Sequence, residues 1–336
     1  MQRFQAEGCP TPLEIPFSQM ASDPVDPIPF AQLEQVVIPL VAVTKDAKWH
    51  EVGTAFVIAV LDPKRALLLT AAHNLKAVHR LDDPPRHHPS TPPVLLPSPP
   101  EWINLKSTNV YGMLKSPSEM LLLEMAPSWF NWGLDAALLL ATIRPEQDAT
   151  FTMHFPLDSR PITVGTPVMA VGYPGTKATS TADYDANEFR AHVNLNLEYR
   201  RGTVVALQPQ GDTIHKWPGF LVSFALDSGM SGGPVIDLSG DTPVVRGIVG
   251  GDVGEEDDWR PGSGAHAFVS LLWPAMITKM RATELTFVRP DQASLVLTDA
   301  SLLEIVRAGI VDDRGRAHEH ALFEELPNNG LRGFWR

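Results

Sequence analysis

Residues 226–238 read LDSGMSGGPVIDL. Ser231 stands among Gly229, Gly232 and Gly233, immediately before the strand-like run GPVIDL (233–238). A serine nucleophile needs its Oγ exposed on a tight turn. Glycines allow the backbone to make that turn and allow a substrate to come close. A tight turn also aims successive N–H groups at one point, so the amides of Gly229 and Ser231 can together hold the oxyanion of a tetrahedral intermediate. A plain glycine-rich hairpin has the same spelling, and the residues around the segment must decide between the two.

Two other segments supply partners. TAAH (70–73) closes the apolar run ALLL and sets His73 at a strand end; LDAALLL (134–140) sets Asp135 immediately before another apolar strand. Taken singly, His73 reads as a half-buried structural histidine and Asp135 as a turn residue. Together with Ser231 they give a base, its orienting acid and a nucleophile in the chain order His, Asp, Ser, one of three unrelated orders in which such triads occur. Most other periodic segments also read as strands. These are 35–43, 53–61, 66–72, 136–143, 166–174, 201–209, 220–226, 243–251 and 265–272, with a hydrophobic stretch at 110–125. They are rich in β-branched and aliphatic residues and bounded by Gly, Pro, Asp and Lys, which predicts an all-β sandwich or barrel.

On these motifs the chain resembles the trypsin/chymotrypsin-like serine peptidases, especially the bacterial HtrA-like and glutamyl-endopeptidase-like branches. GTAFVI (53–58), TAAH (70–73), LDAALL (134–139), GYPG (172–175), GTVVAL (202–207) and SGMSGGPV (228–235) carry the likeness. The resemblance implies two six-stranded antiparallel β-barrels with the active site in the cleft between them. His73 and Asp135 would sit on the first barrel and Ser231 on the second, with Gly229 and Ser231 as oxyanion donors. It implies an endopeptidase that works through an acyl-enzyme and needs no cofactor or metal. The primary specificity pocket would be framed by Ala225, by Gly250 and Gly251 with Asp252, and by His266. Ala225 stands where trypsin-like members place an acidic residue, which disfavours a strict Arg/Lys preference, although Asp227 or Asp252 offers another acidic group. Met230 precedes the nucleophile where digestive members carry an Asp, so activation by insertion of a freed N-terminus is not expected. No PDZ-like module is apparent after the peptidase region. A peptidase fold that binds peptides without cleaving them is the competing reading.

The remaining features set the context. The chain has 336 residues and a net charge of −12. No basic stripe marks a nucleic-acid partner, and no apolar run of about 20 residues predicts a membrane span. The N-terminus lacks the apolar core of a secretory signal. Cys9 is the single cysteine, which excludes an internal disulfide and suggests a reducing, cytoplasmic setting. His87 and His88 lie in the proline-rich stretch 82–100 without ligand-spaced partners. Residues 1–35 read as an extended arm, 36–277 as the peptidase unit with a barrel boundary near 145–165, and 278–336 as an α-containing C-terminal extension. In that extension Asp299 would cap a helix ending at Gly309. The arm and the extension are candidate sites for a regulatory partner.

Overall fold

The computed structural model describes residues 28–272 apart from 45–47, 83–108, 116–119, 132–133, 159, 184–187, 213–214, 241 and 253–266. It also describes Met276 and four strands beyond it, at 284–287, 295–298, 321–325 and 331–335. A short helix α1 (Phe30–Val36) leads into strand β1 (Val37–Val43). The first barrel continues with β2 (Trp49–Asp62), β3 (Arg65–Thr70), β4 (Asn109–Lys115), β5 (Met120–Asn131) and β6 (Ala136–Thr142). Helix α2 (Ala72–Asp82) follows β3 directly. The second barrel comprises β7 (Pro167–Gly172), β10 (Glu198–Gln208), β11 (Gly219–Val222), β12 (Pro234–Asp237), β13 (Val244–Asp252) and β14 (Ala267–Leu271). Between β7 and β10 lies a two-stranded hairpin of β8 (Lys177–Asp183) and β9 (Glu188–Asn194).

Both barrels close. The first runs β1-β2-β3-β6-β5-β4 and the second β10-β11-β14-β13-β12-β7, all through antiparallel pairs. Closure removes the exposed edges of the sheets. The strands of the first barrel are unusually apolar because they are covered on both faces: AALLLAT in β6 is buried from Ala136 to Ala141. Its core cluster extends to Met169, Val171, Ile236, Val245 and Ile248 of the second barrel, so the barrels share an apolar interface. Phe155, in the connection from β6 to β7, packs edge-on against Phe56 of β2 at 6.0 Å.

The expected two-barrel architecture is present, with local differences. The arm is not extended throughout: residues 30–36 form α1, because Leu33 and Val36 lie on one helical face and both are buried. A helix, rather than a simple strand end, carries His73. The strand expected over 220–226 stops at Val222, where the chain turns and the Ser223 Oγ accepts the Thr203 N–H at 2.9 Å. The β8–β9 hairpin had no signal in its polar sequence. The C-terminal extension also contains four strands that were not expected, β15 (Glu284–Phe287), β16 (Leu295–Thr298), β17 (Ala321–Glu325) and β18 (Leu331–Trp335). They form one sheet in the order β16-β15-β18-β17, with β15 and β18 parallel. Leu285 with Phe287, and Leu295 with Leu297, have the two-residue spacing of strands. The helix expected from Asp299 to Gly309 lies outside the described residues.

Candidate active site

His73 enters the site from the first turn of α2. The first N–H groups of a helix have no partner within it, and the His73 N–H is satisfied from outside: it donates to Asp135 Oδ1 at 2.9 Å. The same carboxylate meets the imidazole, with Nδ1 3.0 Å from Oδ1 and 2.8 Å from Oδ2. Helix α2 has no acidic residue in its first turn. Asp135 therefore supplies, from the start of β6 beside β3, the anion that a helix N-terminus favours. Its backbone sits at φ 48, a left-handed conformation in which Asp is tolerated better than most residues. Its side chain is 4% exposed and that of His73 is 40% exposed. The acid is walled in and the imidazole reaches the cleft. With Nδ1 donating to the carboxylate, Nε2 is left as the basic nitrogen.

Ser231 comes from the second barrel, in the turn before β12, and its backbone docks on the first. Its carbonyl accepts from the Thr54 N–H and from the Asn74 Nδ2, each at 2.9 Å. Asn74 follows His73, so the docking sets the Ser231 backbone beside the histidine's own helix turn. Asn74 Nδ2 also donates to Thr70 Oγ1 at 3.0 Å, and Thr70 Oγ1 donates to the Thr54 carbonyl at 2.6 Å. Thr54, Thr70 and Asn74 are all buried. Gly232 makes this approach possible: a Cβ there would lie 2.2 Å from the Thr54 carbonyl oxygen. Among the described residues no hydrogen bond joins Ser231 Oγ to His73 Nε2. Such contacts are commonly loose without substrate and tighten when it binds.

The turn around Gly229 is fixed by its carbonyls. Ser228 O accepts from the Gly175 N–H at 3.2 Å, Gly229 O from Thr54 Oγ1 at 2.7 Å, and Met230 O from the Gly233 N–H at 2.9 Å. Each carbonyl shares a peptide plane with the following N–H, which points the opposite way. The N–H groups of Gly229 and Ser231 accordingly face away from these anchors, and among the described residues neither donates to a protein acceptor. Gly229 has φ 95; a Cβ there would lie 2.1 Å from Glu51 Oε1 and 2.5 Å from the Tyr173 carbonyl oxygen. Burial pushes the Glu51 carboxyl above its ordinary range, opposed by a hydrogen bond from the Thr176 backbone.

The match with known proteins can be set beside this geometry. The profile of the trypsin-like peptidase domain covers residues 53–245, more than half of the chain. The chain belongs to this family. Among solved structures, the chain is similar to the MamO protease domain from Magnetospirillum magneticum, with 13% identity and a TM-score of 0.41, covering 72% of this chain and 95% of that one. It is also similar to Deg5, at 16% identity and a TM-score of 0.41, covering 66% and 81%. A third is the thermostable serine protease AL20 from an extremophilic microorganism, at 14% identity and a TM-score of 0.41, covering 71% and 91%. No curated protein matches the sequence.

The residues expected to frame a specificity pocket are described unevenly. Gly250 and Gly251 lie on β13, and a Cβ on Gly250 would touch Ser270 and Phe268. Ala225 is exposed in the stretch between β11 and the Ser231 turn. Asp227 has its carboxylate paired to Arg200 of β10. Asp252 ends β13, but its side chain, like all of His266, lies outside the described residues. His87 and His88 do too. No group of three or more metal-ligating side chains occurs among the described residues, nor any helix long and apolar enough to cross a membrane. Thr54, Asn74 and Gly175 carry no signal of their own within GTAF, TAAHN and GYPG: Thr54 and Asn74 tie the first barrel to the Ser231 turn, and the Gly175 N–H holds the Ser228 carbonyl within the second barrel.

Proposed function

We propose that the chain is a serine endopeptidase acting through Ser231, His73 and Asp135. The observation that carries this reading is the Asp135 carboxylate on His73 Nδ1 and the His73 N–H, with the Ser231 backbone held on neighbouring Asn74. The Ser231 Oγ attacks a peptide carbonyl as its proton passes to His73 Nε2. The C–O bond forms, and the oxyanion is held by the Gly229 and Ser231 amides. His73 then gives the proton to the leaving nitrogen as the C–N bond breaks. Water, deprotonated by the same histidine, releases the acyl group and restores the serine. Asp135 fixes the imidazole tautomer and stabilises the imidazolium. The substrate runs along β13, where Gly250 and Gly251 leave room for an extended peptide strand.

Fluorophosphonate labelling read by intact mass tests this. The expected result is one adduct on wild type, none on Ser231→Ala, and peptide hydrolysis lost in both Ser231→Ala and His73→Ala. Turnover that survives Ser231→Ala would refute the assignment. A folded wild type that neither labels nor hydrolyses would support the peptide-binding alternative.

A further inference from the structure

We infer that Thr54 is a positioning residue for the oxyanion turn, so that a hydroxyl on the first barrel fixes the direction of the donors on the second. The inference rests on the reading of Ser231 as nucleophile. An oxyanion site works only if its N–H groups are aimed before charge develops. A glycine-flanked peptide plane has little steric resistance to turning over, and turning it over would replace an N–H with a C=O. The resistance must come from what holds the neighbouring carbonyls.

Gly229 lies between two such planes. The Ser228–Gly229 plane is held at one end, by Ser228 O on the Gly175 N–H at 3.2 Å. The Gly229–Met230 plane is held at both, by Gly229 O on Thr54 Oγ1 at 2.7 Å and by the Met230 N–H on Asp227 O at 3.1 Å. The 2.7 Å bond from Thr54 is the shortest of the three, and its direction is unambiguous. Thr54 Oγ1 accepts the Tyr173 N–H at 3.1 Å, and a hydroxyl has one proton to give, which goes to Gly229. Thr54 is fully buried, so no solvent competes for either bond. Tyr173 and Gly175 belong to one turn after β7. The single hydroxyl therefore ties that turn and the Ser231 turn to β2. The peptide plane that links the two donor planes is thus held from the first barrel, while the Ser228 and Met230 carbonyls are held within the second.

The test compares Thr54→Val, which keeps the shape and loses the hydroxyl, with Thr54→Ser, which keeps the hydroxyl. With a peptide substrate, the valine variant should lose kcat by roughly 10²–10³-fold, the size of losing one oxyanion donor, with KM within about threefold. The serine variant should recover to within about tenfold of wild type. A valine variant whose kcat stays within about threefold of wild type overturns the inference. So does a serine variant as impaired as the valine one, because packing would then explain both. Crystal structures of wild type and Thr54→Val, or Thr54→Ala if the valine variant does not fold, decide the matter even if the wild type proves inert. A Gly229 carbonyl that leaves its wild-type direction supports the latch, and one that keeps it without the hydroxyl overturns it. Absence of labelling on wild type would count against the peptidase reading alone.

Discussion

The side-chain amide of Asn74 donates to the backbone carbonyl of Ser231 at 2.9 Å, joining the residue after His73 on one barrel to the nucleophile candidate on the other. The same nitrogen holds Thr70 Oγ1, and Asn74 is 2% exposed. Asn74→Ala removes a buried donor from two acceptors. It should cost about 1–3 kcal/mol in denaturant titration and slow phosphonate labelling of Ser231. An unchanged labelling rate would show that the Thr54 N–H alone suffices to place the serine.

Asp135→Asn should retain the fold, because Asn tolerates φ 48 as well as Asp does. An amide can present an N–H to Nδ1 and stabilise the wrong imidazole tautomer. The expected loss in kcat is on the order of 10⁴-fold, measured with a peptide substrate at neutral pH. A loss below about tenfold would remove Asp135 from the mechanism of a triad as drawn.

Gly232 has φ 86, and a Cβ there would lie 2.2 Å from the Thr54 carbonyl oxygen and 2.3 Å from Thr70 Oγ1. Neither neighbour can yield without breaking the buried network. Gly232→Ala should therefore destabilise by about 1–3 kcal/mol or more and reduce Ser231 labelling. A thermal melt that matches wild type would show that the barrels separate there without cost.

Arg246 lies between two carboxylates of the second barrel region. Its Nη1 is 2.7 Å from Asp158 Oδ2 and its Nε 3.0 Å from Asp237 Oδ2, with all three side chains nearly buried. For both acids burial alone would raise the pKa. For Asp158 this is outweighed by Arg160 and Arg246, and for Asp237 by Ser239 and Arg246, so both end below the ordinary 3.8. Depressed carboxylates stabilise the fold above pH 3.8, and that contribution disappears as pH falls further. Arg246→Met should cost about 3 kcal/mol at neutral pH by leaving the buried Asp237 carboxylate without its cation, while Asp158 keeps Arg160. The deficit should narrow in acid, as followed by melts from pH 7 to pH 3. A deficit independent of pH would assign the loss to packing.

Glu51 carries the opposite sign. Burial raises its carboxyl above the ordinary 4.5, so the folded protein holds a proton that the unfolded chain has released in the interval above pH 4.5. Stability falls as pH rises through that interval. Glu51→Gln should melt higher than wild type at pH 7, with the gain shrinking towards pH 4.5. A gain that persists unchanged below pH 4.5 would exclude the carboxyl as its source.

Short-range features were legible wherever burial and chain period coincide. Leu67–Leu69 of β3 and Ala136–Leu140 of β6 declare themselves as strands because barrel strands covered on both faces become nearly continuous apolar runs. The glycine spelling around Ser231 announced a tight turn. The β8–β9 hairpin escaped because KATSTAD (177–183) has no apolar face to declare. Helix α1 escaped because only Leu33 and Val36 mark its buried side within a proline-rich approach. The C-terminal sheet escaped because its four strands are only four or five residues long, too short for a period to stand out.

By itself, the sequence determined most strands of the two barrels, the glycine turn and the order of His73, Asp135 and Ser231, since each follows from local period, residue chemistry or spelling. Only the tertiary structure decided that Asp135 caps the helix carrying His73, that Asn74 and Thr54 hold the Ser231 carbonyl, and that Asp227 is paired with Arg200. Those are hydrogen bonds and ion pairs between residues 27 to 177 positions apart. Their partners are chosen by how each barrel closes and how the two dock, which no local pattern encodes.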